Sequence, residues 1–136
     1  MSSRLLRGTD VMLIAFSLNH RATFEDFHEQ VELVERAKDE KLENFVVVGM
    51  GTDDDDRTVN KEEAQKYFSE KYPSALYFEV YTTCYKKNYG FHYKVDDKNR
   101  AILKDIFQNA VRLSQKRTKE GSKDTSEQNG SLCIIC

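Results

Sequence analysis

Three short apolar runs, spaced regularly along the chain, constrain the fold more than any other feature of the sequence. They cover residues 11–16, 45–49 and 76–80, and the first two contain no charged or strongly polar side chain. Such runs are typical of parallel strands that are covered on both faces. A helical pattern follows each run. The alternating order therefore predicts an α/β fold with parallel strands joined by right-handed crossovers.

The three helical patterns each have one apolar face. Thr23 offers an N-cap for the first helix, which we expect to end near Lys41, and Asn60 offers one for the second, which Pro73 ends. The inner-face residues are, in order, Phe24, Phe27, Val31, Val34 and Ala37; Ala64, Tyr67, Phe68 and Tyr72; and Ile102, Leu103, Ile106, Phe107, Ala110, Val111 and Ser114.

Composition limits the classes of function. The chain has 136 residues, enough for one domain, and its net charge of −2 creates no general attraction to nucleic acid or membranes. We therefore expect no nucleic-acid partner. Three cysteines do not form a secreted disulfide framework, which favours the cytoplasm. No apolar stretch approaches a membrane span. The polar composition after about residue 117 predicts a disordered tail over residues 118–136.

Several segments, taken together and in order, identify a family. Residues 21–26 are R-A-T-F-E-D, residues 57–59 are R-T-V with Ala64 following, residues 77–80 are Y-F-E-V, and residues 103–107 are L-K-D-I-F. With the apolar runs at 10–17 and 45–49, they resemble the C-terminal half of a Ras-family small GTPase. The resemblance implies a partial Ras-like three-layer fold over residues 1–117, with about three parallel strands and three helices.

The same resemblance implies GTP or GDP and Mg²⁺ as ligands, and signalling or regulatory proteins as partners. The family binds phosphate with G-x-x-x-x-G-K-[S/T], whose backbone amides and lysine cradle the phosphates. None of the six glycines stands at that spacing before Lys-Ser or Lys-Thr, and the switch threonine and the D-x-x-G metal loop are also missing from these residues. We expect GTP binding and Mg²⁺ binding to be weak or absent.

The guanine-recognition loop is also altered. Where the family has N-K-x-D after the strand ending at Gly49, this chain has Met50, Gly51, Thr52 and Asp53. Asp53 is therefore the one remaining candidate for a guanine contact, with Asp54 replacing it if the loop shifts by one residue. The family's S-A-K positions are occupied by residues 81–83, Tyr-Thr-Thr. We expect no catalytic residue in this chain.

The acidic run at residues 53–56 could be proposed as a calcium loop. An EF-hand needs alternating ligands, a glycine at the sixth position and a glutamate at the twelfth, and the glycine is absent. A solvated acidic turn is the simpler interpretation. His20, His28 and His92 have no ligand-like spacing either, so no metal ligand is predicted.

The last four residues, Cys133-Ile134-Ile135-Cys136, match a C-a-a-X prenylation box with lipid attachment at Cys133. A prenyltransferase would then be a partner, and the chain would be a peripheral membrane protein of the cytoplasmic face. A zinc or redox C-x-x-C pair is the alternative. Zinc would need two further ligands, and a redox pair normally begins a helix inside a fold.

Residues 84–100 are an insertion relative to the family. Tyrosines and lysines alternate irregularly in it, which is compatible with stacking on nucleic acid or with a protein-binding hot spot. The plainer interpretation is an edge hairpin or loop that packs over the altered base site.

The sequence thus predicts a truncated, divergent Ras-like protein that is non-catalytic and acts by contact through a prenylated tail. Two alternatives remain: a C-terminal fragment of a conventional GTP-hydrolysing small GTPase, and an interaction module that uses residues 84–100. With half of the family's sheet missing, we expect the edge of residues 11–16 to be exposed and the protein to be marginally stable or self-associating.

Overall fold

A computed structural model describes residues 9–52, 56–88, 90–121 and 132–135. The α/β fold predicted from the sequence is confirmed. The strands are β1 Val11–Ser17, β2 Val46–Gly51, β3 Leu76–Tyr81, β4 Thr83–Lys87, β5 Gly90–Lys94 and β6 Leu132–Ile135. The helices are α1 Arg21–Glu25, α2 Phe27–Lys38, α3 Lys61–Lys71 and α4 Asp97–Gly121.

The main sheet is parallel and has the strand order β3-β2-β1-β6. Ile14 pairs with Val47, which in turn pairs with Tyr77, so the three predicted strands lie side by side in register. Strands β4 and β5 form a separate antiparallel hairpin, with Asn88 in the left-handed region at φ 58° near its turn.

Each face of the sheet has its own core, as the apolar runs predict. Alternate residues of β1 point to opposite faces, so Met12, Ile14 and Phe16 pack on α1, α2 and α3, whereas Leu13 packs with Ile106 of α4. The two cores explain why β1 tolerates almost no polar side chain: neither of its faces meets water.

The first helical pattern divides into two helices. Asp26 separates α1 from α2, and Thr23 lies inside α1 instead of capping it. The Thr23 hydroxyl accepts the Ser17 backbone N–H at 2.8 Å and lies 2.8 Å from the His20 carbonyl oxygen. The N-cap prediction at Thr23 was therefore wrong because its hydroxyl bonds to the end of β1, although Phe24 and Phe27 are buried as predicted.

The second helix matches its prediction closely. The Asn60 side chain accepts the Glu62 backbone N–H at 2.8 Å, and α3 ends at Lys71, two residues before Pro73. In α4, Ile106, Ala110 and Ser114 are buried at a spacing of four. Phe107 and Val111 were also expected on that face, but each is about half exposed because it lies one residue further around the helix.

The C-terminal residues depart most from the prediction. Helix α4 continues to Gly121, four residues past the expected end of the domain at residue 117. Strand β6 pairs with residues 11–14 of β1, where a disordered tail and an exposed edge were expected. Leu132, Ile134 and Ile135 favour extended structure, and the edge of β1 offers unpaired backbone groups to them. The rest of the tail, residues 122–131, lies outside the described ranges.

Candidate functional site

The carboxyl ends of β1, β2 and β3 meet at one edge of the sheet, where open α/β sheets commonly bind ligands. Backbone hydrogen bonds hold the segments there together. The Leu18 N–H donates to the Met50 carbonyl at 2.8 Å, and the Thr58 N–H donates to the Leu18 carbonyl at 2.8 Å. This edge is the candidate site because it includes the positions aligned with the guanine loop.

Two of those positions belong to the sheet instead of a loop. Strand β2 continues through Met50 and Gly51, which pair with Val80 and Tyr81 of β3. The Met50 side chain is 46% exposed and offers only a weak thioether acceptor. The predicted remnant contact, Asp53, and its alternative, Asp54, lie outside the described residues.

The backbone donors around this segment already have acceptors. The Thr52 N–H donates to the Asn19 side-chain oxygen at 3.0 Å, the Thr82 N–H to the Gly51 carbonyl at 2.8 Å, and the Tyr81 N–H to the Asn99 side-chain oxygen at 2.9 Å. None of these three donors is free for a ligand unless an existing hydrogen bond breaks.

Aromatic rings occupy the space beside the two glycines of β2. A β-carbon at Gly49 would lie 2.9 Å from Cδ2 of Leu18 and 3.1 Å from the Tyr77 hydroxyl. A β-carbon at Gly51 would lie 3.1 Å from Cδ1 of Tyr81. Glycine at both positions is therefore explained by the close approach of neighbouring side chains within the protein.

An ion pair lies at the centre of the site. The Arg57 guanidinium makes a two-pronged contact with the Glu79 carboxylate at 2.7 and 3.0 Å, and it also bonds to the Val59 carbonyl and the Tyr81 hydroxyl. The two charged side chains are only 15% and 9% exposed. Sequence analysis identified Arg57 only as a match to the family, since a contact between residues 22 positions apart leaves no local signal.

The electrostatics of this pair favour its charged form. Burial alone would raise the pKa of Glu79, but hydrogen bonds from Arg57 and Tyr81 hold that pKa below its ordinary value. The same hydrogen bond raises the pKa of Arg57. The carboxylate is thus fixed as an acceptor and is not poised for proton transfer near neutral pH.

A cleft of about 300 Å³ opens beside Glu79, between α3, β3 and α4. Tyr77 is one of the residues that line this cleft, and burial raises the pKa of its hydroxyl. The cleft residues are Lys61, Gln65, Tyr77, Phe78, Glu79, Tyr81, Lys98, Asn99 and Ile102. These residues include two lysines, one carboxylate that is already paired, and aromatic rings. The set offers no nucleophile in contact with a base.

The other predicted positions lie apart from this edge. Cys133 is in β6, in register with Met12. The insertion forms the β4–β5 hairpin and the start of α4, and the simpler interpretation of residues 84–100 also predicted a hairpin. That this hairpin packs over the altered base site stays a prediction. In the described ranges no three His, Cys, Asp or Glu side chains are grouped as metal ligands, and no helix is long and apolar enough to span a membrane.

A comparison with known families agrees with the α/β fold. A sequence model of the Ras family matches residues 1–116. The chain belongs to the Ras family. It contains a Ras-family, small-GTPase-like domain, and GTP or GDP with Mg²⁺ is what that family binds in general.

This Ras-family chain does not fit a guanine base at the described positions. The Met50 side chain offers only a weak thioether acceptor, Gly51 has no side chain, and the backbone donors of Thr52, Tyr81 and Thr82 already have acceptors in the protein. A buried polar group left unpaired costs about 1–3 kcal/mol, so a base would need hydrogen-bond partners other than these two side chains.

Proposed function

We propose that this Ras-family chain acts by protein contact, without hydrolysing GTP, and carries a prenyl group on Cys133. In this proposal residues 1–117 are a partial small-GTPase-like domain that signalling or regulatory proteins bind, and residues 118–136 are the tail. The observation that supports it best is the pairing of Met50 and Gly51 with β3, which builds the expected base-recognition loop into the sheet.

A nucleotide titration tests the loss of GTP binding. Fluorescent GDP and GTP are added to the purified chain with and without Mg²⁺, and we expect no saturable binding below millimolar nucleotide. An Asp53→Ala variant serves as a matched control for any residual guanine contact. Magnesium-dependent binding at micromolar concentrations would overturn the proposal.

The lipid proposal has a separate test. Cys133 begins the C-a-a-X pattern, and one prenyl chain gives only weak, reversible membrane attachment. We expect intact-mass spectrometry of protein from eukaryotic cells to show one isoprenoid, absent in Cys133→Ser and retained in Cys136→Ser. If the wild-type protein is unmodified, a prenyltransferase and the cytoplasmic face of the membrane are no longer proposed as its partners.

The hairpin offers a second candidate function. Strands β4 and β5 form a sheet of their own, and their tyrosines and lysines are typical of a protein-contact surface. If the chain acts as an interaction module, substitutions within residues 84–94 should weaken the binding of any partner that is found. Substitutions on α2 should leave that binding unchanged.

A further inference from the structure

We propose that the outer edge of β1 is a binding site for the chain's own lipidation box, and that the box is masked from modification while it is paired there. The inference rests on the proposed function in one respect only, since it takes Cys133 as the modified cysteine. It adds a regulated state of that cysteine, controlled by strand pairing.

The register places the box inside the ladder. Met12 pairs with Cys133, Leu13 with Ile134 and Ile14 with Ile135. Three of the four residues of the C-a-a-X pattern therefore belong to β6. A modifying enzyme that reads these residues must surround them as a free extended segment, and their backbone cannot pair with β1 at the same time.

The outer edge of β1 needs a partner strand. With β6 in place, Val11, Met12, Leu13 and Ile14 are all 6% exposed or less, and β2 pairs with β1 on its other side. Without β6, the outer edge of β1 would present a row of unpaired N–H and C=O groups next to an apolar core. Unpaired edges of this kind bind extended segments from any available chain.

The connection allows the same chain to supply that segment. Parallel strands need a crossover of a dozen or more residues, usually a helix. Here β3 continues into the β4–β5 hairpin and the 25-residue helix α4, and residues 122–131 join α4 to β6. This path returns the chain to the sheet on the far side of β1.

The docked strand is also weak enough to be released. It is four residues long, and Ile134, the one side chain in it that the structure describes, is 47% exposed, so this side chain gives little apolar burial to the pairing. In the described part of the chain, no strand pairs with the other side of β6. The pairing therefore sets up a competition between the β1 edge and a modifying enzyme.

The experiment compares two substrates of a purified prenyltransferase supplied with an isoprenoid diphosphate: the full chain and a synthetic peptide of residues 122–136. In parallel, amide hydrogen exchange is measured for residues 133–135 in both. We expect the full chain to be modified at least about tenfold more slowly than the peptide. The ratio of the two modification rates should match the factor by which pairing with β1 slows amide exchange.

The outcomes separate the two proposals. Equal modification rates, or full-chain amides at 133–135 that exchange as fast as those of the peptide, would overturn the masking inference. If neither substrate acquires a lipid, the assignment of Cys133 as a prenylation site fails instead. The exchange result alone then decides whether the β1 edge binds the tail.

Discussion

Arg57 binds three groups through one guanidinium and so joins its own segment to β3. It contacts the Glu79 carboxylate and the Tyr81 hydroxyl on β3 and the Val59 carbonyl before α3. Since both charged side chains are largely removed from water, loss of one partner leaves the other without its counter-charge. This ion pair is therefore expected to matter more for stability than the exposed pairs do.

The first prediction concerns this pair. Arg57→Met should lower the free energy of unfolding by about 3 kcal/mol, because it leaves Glu79 buried and uncompensated. Arg21→Met is the matched control, since Arg21 and Glu63 are 45% and 40% exposed, and it should leave the denaturation midpoint nearly unchanged. Urea denaturation measures both, and equal effects would contradict the difference in burial.

The second prediction concerns pH. The pKa of Glu79 is lowered in the folded protein, so its contribution to stability is present above the ordinary value of 4.5 and is lost as the pH falls below it. Glu79→Gln removes that titration. We expect the wild type to lose more stability than the variant between about pH 5 and pH 3 in thermal melts. Parallel pH profiles would show that Glu79 does not contribute.

The third prediction concerns close packing at a glycine. Gly49→Ala should cost about 1–3 kcal/mol, because the new β-carbon would lie 2.9 Å from Leu18 and 3.2 Å from Phe16, both buried. Gly90→Ala is the control, since no atom of the described residues lies within 4 Å of its added carbon. Denaturation curves that place the two variants together would refute the packing argument.

Among the helices and strands, the sequence predicted those whose signal is local. Periodicity located β1, β2 and β3, and the Asn60 cap fixed the start of α3. It did not locate the break at Asp26, because the apolar pattern continues unchanged across it. Nor did it show that β2 includes Met50 and Gly51, since that extension depends on pairing with residues 80 and 81 far along the chain.

The sequence predicted which residues occupy the candidate site but not the hydrogen bonds that those residues make. Alignment with the Ras family identified Met50 and Gly51 as replacements for base-binding residues. The bonds that engage Thr52, Tyr81 and Thr82 connect distant segments, and no local pattern records them. The same reason explains β6, whose four residues become a strand only because β1 offers them an edge.

Across the whole molecule, we expect the outer edge of β1, which β6 covers, to control self-association. The fourth prediction is that Ile134→Pro/Ile135→Pro self-associates in a concentration-dependent way. Successive amides of a strand point to opposite sides, so the double substitution removes at least one donor toward β1 and releases the edge. Sedimentation velocity at several concentrations measures the effect.

The control for this prediction keeps the strand. Ile134→Val/Ile135→Val retains both amides and the preference for extended structure, so it should sediment as the wild type does. If the proline variant also remains monomeric at all concentrations, β6 is not what protects the β1 edge from a second copy.

The described aromatic rings are concentrated on one face of the sheet. Phe16 contacts the rings of Phe24, Phe27, Phe68 and Tyr77, all on the face covered by α1, α2 and α3. Among the described side chains, Phe78 is the one ring packed against the core on the α4 face, and the chain contains no tryptophan. Ring-current shifts of the side chains around Phe16 will therefore report on the layer of α1, α2 and α3, and they will change little when α4 alone loosens.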